Sequence, residues 1–290
     1  MIDLHSHILP GVDDGAASLE VSLLMAQMWV DDGVSVVACT PHILPGLYAN
    51  SGPDIRVAVQ ALQAVLDERG LPLRLVTGAD NHIAHDFVGG LRRGHLLSLA
   101  NSRYVLVEPP HHVLPPRLDA LFFNLVVAGY VPILTHPERL TWVEAHYELM
   151  QQLVAGGVWM QVTAGSLTGK FGRKVQHLAD KMLDEGLVHI LASDAHDPYK
   201  RFPNMSEGFA RAQRLVGNDE AKRLVFTRPQ GIIDNAAPDT LLKILGATAH
   251  VIDQGVDQAG QVSSENPAAD AAGAGQRRSI ARRLWGVFGH

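Results

Sequence analysis

The sequence predicts a parallel α/β fold, and a distorted seven-stranded (β/α)7 TIM-like barrel in preference to an open sheet, on three observations. Short β-branched apolar runs alternate with longer amphipathic segments, the pattern of βα units. Most of the short runs are near-continuously apolar, as strands covered on both faces require. Imidazoles and carboxylates recur just after these runs, at the strand ends where barrels carry their sites.

Taken in order, the strands are expected at residues 2–4, 34–40, 73–77, 104–107, 131–135, 158–162 and 189–192. The first helix begins after Ser18, a side chain suited to an N-cap. It carries Val21, Leu24, Met25 and Met28 at helical spacing and stops at Gly33. Three further helices, at 54–69, 117–128 and 174–185, close on Gly70, Gly129 and Gly186, residues that tolerate the left-handed conformation of a helix end.

Composition bounds the function. The chain has 290 residues, 47% of them hydrophobic and 19% charged, enough for a large packed core. A single cysteine excludes a disulfide scaffold and a cysteine-rich zinc module. A net charge of -6 argues against a nucleic-acid footprint over the whole surface. The opening MIDLHSH has no signal-peptide character and no apolar run is long enough to span a membrane, so a cytoplasmic protein is expected. The domain is expected to fill residues 1–246. Residues 247–276 carry four acids and no Lys or Arg, and read as a flexible linker. Residues 277–290, with four Arg among Ile280, Leu284, Trp285, Val287 and Phe288, read either as a short amphipathic helix touching a membrane surface or partner, or as a solvated tail.

The strand ends carry the chemistry. His5 and His7 follow the first strand, His42 the second and Asp80 the third; Glu108 ends the fourth and His136 the fifth, and Asp194 and His196 follow the last. The i, i+2 spacing of His5 and His7 puts both on one side of an extended segment. A lone histidine beside a strand is ordinarily structural, but nine donors on one face of a barrel, with Asp14, are not explained that way. The set lacks a thiolate, suits Mn, Fe or Zn, and is too large for one ion, so two or three divalent cations are expected, Mn first. Cys39, in the apolar run VVAC, has proline rather than arginine six residues on, and reads as core rather than as a nucleophile. His82, His85, His95, His111 and His112 read as surface structure, with His111 and His112, on the Pro-flanked loop after Glu108, offering the substrate entrance as the alternative. For Tyr48, Phe171 and Tyr199 packing is the default, with stacking on an aromatic substrate as the alternative.

DLHSH, the VDDG turn, TPH, THPER and SDAH, in this order, resemble the PHP (polymerase and histidinol phosphatase) metallohydrolases. HSHILPGVDDG, TPHILPG, QVTAGSLTGKFG, and SDAH followed by RFPNM are similar to the CpsB-type bacterial tyrosine-protein phosphatases of capsule and exopolysaccharide gene clusters, over residues 1–245. The resemblance implies the PHP fold and a trinuclear centre. In it, His5, His7 and Asp194 hold one ion, Glu108 and His136 a second, Asp80 bridges these two, and Asp14, His42 and His196 hold the third. Asp13 competes with Asp14, its expected role being in the turn. Asp80 stands where the family has a bridging Glu, Leu47 where relatives often have a basic residue, and Thr163 where an Asn is usual.

The implied activity is phosphotyrosine hydrolysis by metal-activated water on the tail of a tyrosine autokinase that controls polysaccharide synthesis. Arg139 and Arg201 are the expected phosphate clamps, since guanidinium binds phosphate in a bidentate manner. A small-molecule phosphomonoesterase of the histidinol-phosphatase kind is the alternative. A nuclease lacks its basic stripe here, an amidohydrolase its strand-end lysine, and a non-enzymatic kinase-binding protein is favoured only by Asp80. The oligomeric state is left open.

Overall fold

All seven expected runs carry strands in the computed structural model, which describes residues 1–242; the linker and tail expected at 247–276 and 277–290 lie outside the described residues. The strands are β1 (Ile2–Ser6), β2 (Val36–Cys39), β3 (His42–Ile43), β4 (Arg74–Thr77), β5 (Asp80–His82), β6 (Tyr104–Glu108), β7 (Val131–Thr135), β8 (Trp159–Thr163) and β9 (Ile190–Ala192). Two of these pieces were not expected. β3 resumes the line of β2 after a break at Thr40 and Pro41, where proline supplies no N–H to a ladder, and β5 resumes the line of β4 after Gly78 and Ala79.

Every pairing between these strands is parallel, in the orders β1-β2-β4 and β3-β5-β6-β7-β8-β9. A parallel bridge between Ser6 and Ala195 joins β1 to the segment leaving β9. The result is a mixed α/β fold around a curled parallel sheet.

The helices are α1 (Leu19–Asp31), α2 (Gly52–Glu68), α3 (Phe87–Arg92), α4 (Leu118–Val127), α5 (Tyr147–Ala155), α6 (Ala164–Leu167), α7 (Arg173–Asp184), α8 (Met205–Lys222), α9 (Arg228–Ile233) and α10 (Pro238–Leu242). Ser18 caps α1, its hydroxyl accepting from Val21 N at 3.4 Å. Among the described residues no helix is long and apolar enough to cross a membrane.

Strand alternation divides the core in two. Leu4, Ala38, Leu106, Ile133 and Trp159 belong to an inner cluster that Ile232 of α9 and Leu241 of α10 close. Their neighbours Val37, Val107, Leu134, Met160 and Val162 pack in an outer cluster with α1, α2, α4, α5 and α7. Each fully buried Leu or Ile contributes about 1.5–3 kcal/mol relative to exposure. One buried carboxylate fastens the ends of the sheet together. Asp3 accepts from Trp29 Nε1 of α1 at 2.8 Å and from the backbone N–H of Ser193 after β9 at 3.0 Å.

Candidate metal centre

Local backbone devices aim the strand-end side chains. Between Asp3 and Ser6 the pairing of β1 with β2 slips by one residue, a bulge that changes which face the following residues present. Leu4 remains in the inner core, while His5 and His7 both face the donor cluster. His136 (φ +33°) and Asp194 (φ +51°) adopt left-handed backbone just beyond β7 and β9. A non-glycine residue there carries strain of order 1–3 kcal/mol, a cost that clusters at functional sites. The VDDG turn requires its glycine: a Cβ on Gly15 would lie 2.1 Å from the His7 carbonyl oxygen.

The nine predicted ligands come together. His5 Nε2 is 3.4 Å from both Asp80 Oδ2 and Asp194 Oδ1, and His7 Nε2 is 3.3 Å from Asp194 Oδ1. His42 and His196 each place Nε2 3.4 Å from Asp14 Oδ1, and His136 Nε2 is 3.5 Å from Glu108 Oε1. Donor atoms of His7, Asp14, His42 and His196 lie within 4.8 Å of one another, as do those of His5, His7 and Asp80. All but Asp14 and His42 are buried.

The two arginines converge on the same cluster. Arg139 Nη1 and Arg201 Nη2 both donate to Asp194 Oδ2, the latter at 2.6 Å. Phe171 lies beneath the Arg139 guanidinium, 4.5 Å from ring centroid to Cζ. A cavity of about 340 Å³ opens over Asp14, His42, His136, Asp194 and both arginines, with Leu44, Leu47 and Tyr48 along one side. Tyr48 stacks on His42, whereas Tyr199 is exposed.

Residues outside the predicted set hold it in place or join it. Gln161 Oε1 lies 2.8 Å from His5 Nδ1, which directs His5 Nε2 into the cluster. Asp13 Oδ2 does the same for His7, 2.7 Å from its Nδ1, and also accepts from His42 N. His82 Nε2 is 2.7 Å from Glu108 Oε2 and His111 Nε2 3.1 Å from Glu108 Oε1. The expectation of surface structure is therefore corrected for His82, while His111 takes the alternative place at the substrate entrance: both line the cavity. Their positions carried a signal, His82 being two residues beyond Asp80 on one strand and His111 three beyond Glu108. His85, His95 and His112 are exposed, as expected. Cys39 is buried with its thiol pKa pushed up by desolvation, which removes it from nucleophilic chemistry.

The electrostatics fit cation binding. Burial opposes charge on His5, yet Asp194 and Asp80 outweigh it and raise its pKa to about 9. Burial likewise opposes charge on His42, and Asp80 and Glu108 push it up to about 11. At His196 burial wins, with help from His7, and lowers the pKa to about 4. His136 is held well below the usual range by burial and the Arg139 charge. Against burial, Arg201, His5 and Arg139 keep Asp194 well below the carboxylate range. Asp80 gives the sharpest test of fit. It is completely buried, neither carboxylate oxygen receives a well-directed hydrogen bond, and His5 Nε2 and His42 Nδ1 stand 3.4 Å from Oδ2, so its charge is answered only by imidazoles that hold a proton or by a cation in their place. Imidazole nitrogens and carboxylate oxygens surround it, the donor set that binds divalent transition metals, which would take the place of the shared protons.

Residues 1–234 match the family model described as capsular polysaccharide synthesis, CpsB/CapC. The tyrosine-protein phosphatase YwqE of Bacillus subtilis strain 168 is 33% identical over 219 residues, 76% of this chain and 86% of that protein. The tyrosine-protein phosphatase CpsB of Streptococcus pneumoniae is 28% identical over 240 residues, 80% of this chain and 98% of its own. A solved structure from work on YwqE and CpsB, described there as unique metal-dependent tyrosine phosphatases, superposes with a TM-score of 0.79 at 31% identity. It covers 82% of this chain and 96% of the solved one. By sequence and by fold, this chain belongs to the CpsB/CapC family of capsular polysaccharide synthesis proteins.

Proposed function

We propose that the chain is a metal-dependent protein-tyrosine phosphatase. Its nine strands act as seven staves of a PHP-type barrel, β2 with β3 and β4 with β5 each counting once. The observation that carries the reading is Asp80, a buried, undonated carboxylate among imidazoles, beneath a cavity lined by two arginines. The nine donors His5, His7, Asp14, His42, Asp80, Glu108, His136, Asp194 and His196 would hold two or three divalent cations, with Mn preferred and Fe or Zn as alternatives. Such ions supply an acidified water and neutralise charge on phosphate oxygens.

The remaining work belongs to the chain. Arg139 and Arg201 each spend one guanidinium nitrogen on Asp194 and turn their other donors to phosphate oxygens in the cavity. Gln161 and Asp13 fix the ring orientation of His5 and His7. Leu44, Leu47 and Tyr48 give the phenyl ring of the substrate an apolar wall. A phenol has a pKa of about 10, so its phenolate leaves without a strong general acid. The substrate fitting this site and the family's place in capsule synthesis is the phosphotyrosine tail of a cytoplasmic tyrosine autokinase.

The test compares kcat/KM for a tyrosine-phosphorylated kinase-tail peptide with that for histidinol phosphate. A strong preference for the peptide is expected; a preference for histidinol phosphate would replace this reading with a small-molecule phosphomonoesterase.

A further inference from the structure

Glu108 is faced by four imidazoles, two on each carboxylate oxygen. His42 Nδ1 lies 3.2 Å and His82 Nε2 2.7 Å from Oε2; His111 Nε2 lies 3.1 Å and His136 Nε2 3.5 Å from Oε1. In each set, His42–His82–Glu108 and Glu108–His111–His136, the donor atoms are all within 4.8 Å of one another. Hydrogen bonding does not account for the first set. Glu108 is buried, and its Oε2 receives no properly directed hydrogen bond despite two nearby nitrogens. Those nitrogens are also only 3.1 Å from each other, so one proton at most serves the contact between them. Three potential ligand atoms converging on a small volume, with the buried Oε2 left without a well-directed hydrogen bond, is the geometry of a cation site.

We propose that His82 and His111 are metal ligands, each completing a three-donor set on Glu108 at the cavity mouth, for a divalent transition cation that favours imidazole, such as cobalt or zinc. This rests on the metal-dependent reading above and extends it, adding two ligands to the predicted nine. Both histidines line the cavity that would receive the phosphate ester.

Glutamine separates ligation from hydrogen bonding, because its amide N–H occupies the position of Nε2 and still donates to Glu108 but binds metal poorly. The experiment titrates cobalt(II) alone into the metal-free full chain by equilibrium dialysis, with the visible absorption of bound cobalt as a second readout. The wild type is compared with H82Q/H111Q and with H85Q, which alters an exposed histidine away from the site. Matching thermal melting of the metal-free proteins shows that the variants fold. The expected result is that H82Q/H111Q loses a bound cobalt, or binds its weakest one at least tenfold less tightly, with an altered spectrum, while H85Q matches the wild type. Unchanged stoichiometry, affinity and spectrum in the double variant would overturn the inference and leave the metal-dependent reading standing. An equal loss in H85Q would assign the weak cobalt to general surface histidines and overturn it as well. A wild type that binds no cobalt would overturn both the inference and the reading beneath it.

Discussion

His189 gives the sharpest stability prediction, because it is buried just before β9 and its contacts are with Trp159, Met160 and Arg228, not with the donor cluster. Its ring stacks on Trp159 with centroids 4.9 Å apart, and its Nδ1 accepts from Met160 N at 3.1 Å. Desolvation, reinforced by the Arg228 charge, lowers its pKa to about 3. The folded value is depressed below the unfolded value of about 6.5, so the neutral ring is the form that folding selects. Its contribution is fully present above pH 6.5 and is lost as pH falls toward 3. Linkage puts the loss at about 2 kcal/mol by pH 5 and about 4 kcal/mol by pH 3. The assay is urea unfolding of metal-free protein at pH 7.5 and pH 5, wild type against H189N, whose amide oxygen replaces Nδ1 as acceptor. The variant is less stable at pH 7.5, and the gap should narrow by about 2 kcal/mol at pH 5. A gap that stays constant would refute the assignment of a neutral buried imidazole. The comparison also separates acid unfolding from acid loss of metal, since the cluster histidines titrate in both proteins.

Three further outcomes follow from the site. R139K keeps the charge but loses the planar fork that spans Asp194 and phosphate, so kcat/KM for a phosphotyrosyl peptide should fall on the order of 10²-fold; wild-type kinetics would remove Arg139 from the site. Q161L leaves His5 Nδ1 without its acceptor, and calorimetric titration should show cation affinity reduced about 10- to 100-fold. C39A should turn over substrate at the wild-type rate, resist thiol reagents, and cost about 1 kcal/mol of stability in denaturant unfolding.

Much of this was readable from the residues, for reasons that differ by element. Most of the seven strand runs are near-continuously apolar because both faces are covered, so β6 and β7 stand out without any partner in view. β3 and β5 do not, because two or three residues such as Asp80, Asn81 and His82 have no apolar period and pair only through their neighbours. The nine donors were legible because the C-terminal ends of strands in a curled parallel sheet lie on one side, which makes position along the chain a proxy for position in space. Gln161 and Asp13 were not, since an orienting hydrogen bond leaves no spacing signature. His82 was passed over, and His111 was read no further than the substrate entrance, because a histidine next to a loop is ordinarily structural and only the fold reveals which way Glu108 faces. The bulge that turns His5 and His7 toward the cluster is a matter of register between β1 and β2, which neither strand states alone.

The most direct measurement is bound-metal content and phosphotyrosyl-peptide turnover taken on the same sample, before chelation, after it and after reconstitution with Mn. Cation and turnover are predicted to vanish and return together, and H136A is predicted to recover neither fully. Undiminished turnover in a sample stripped of measurable cation would contradict the account.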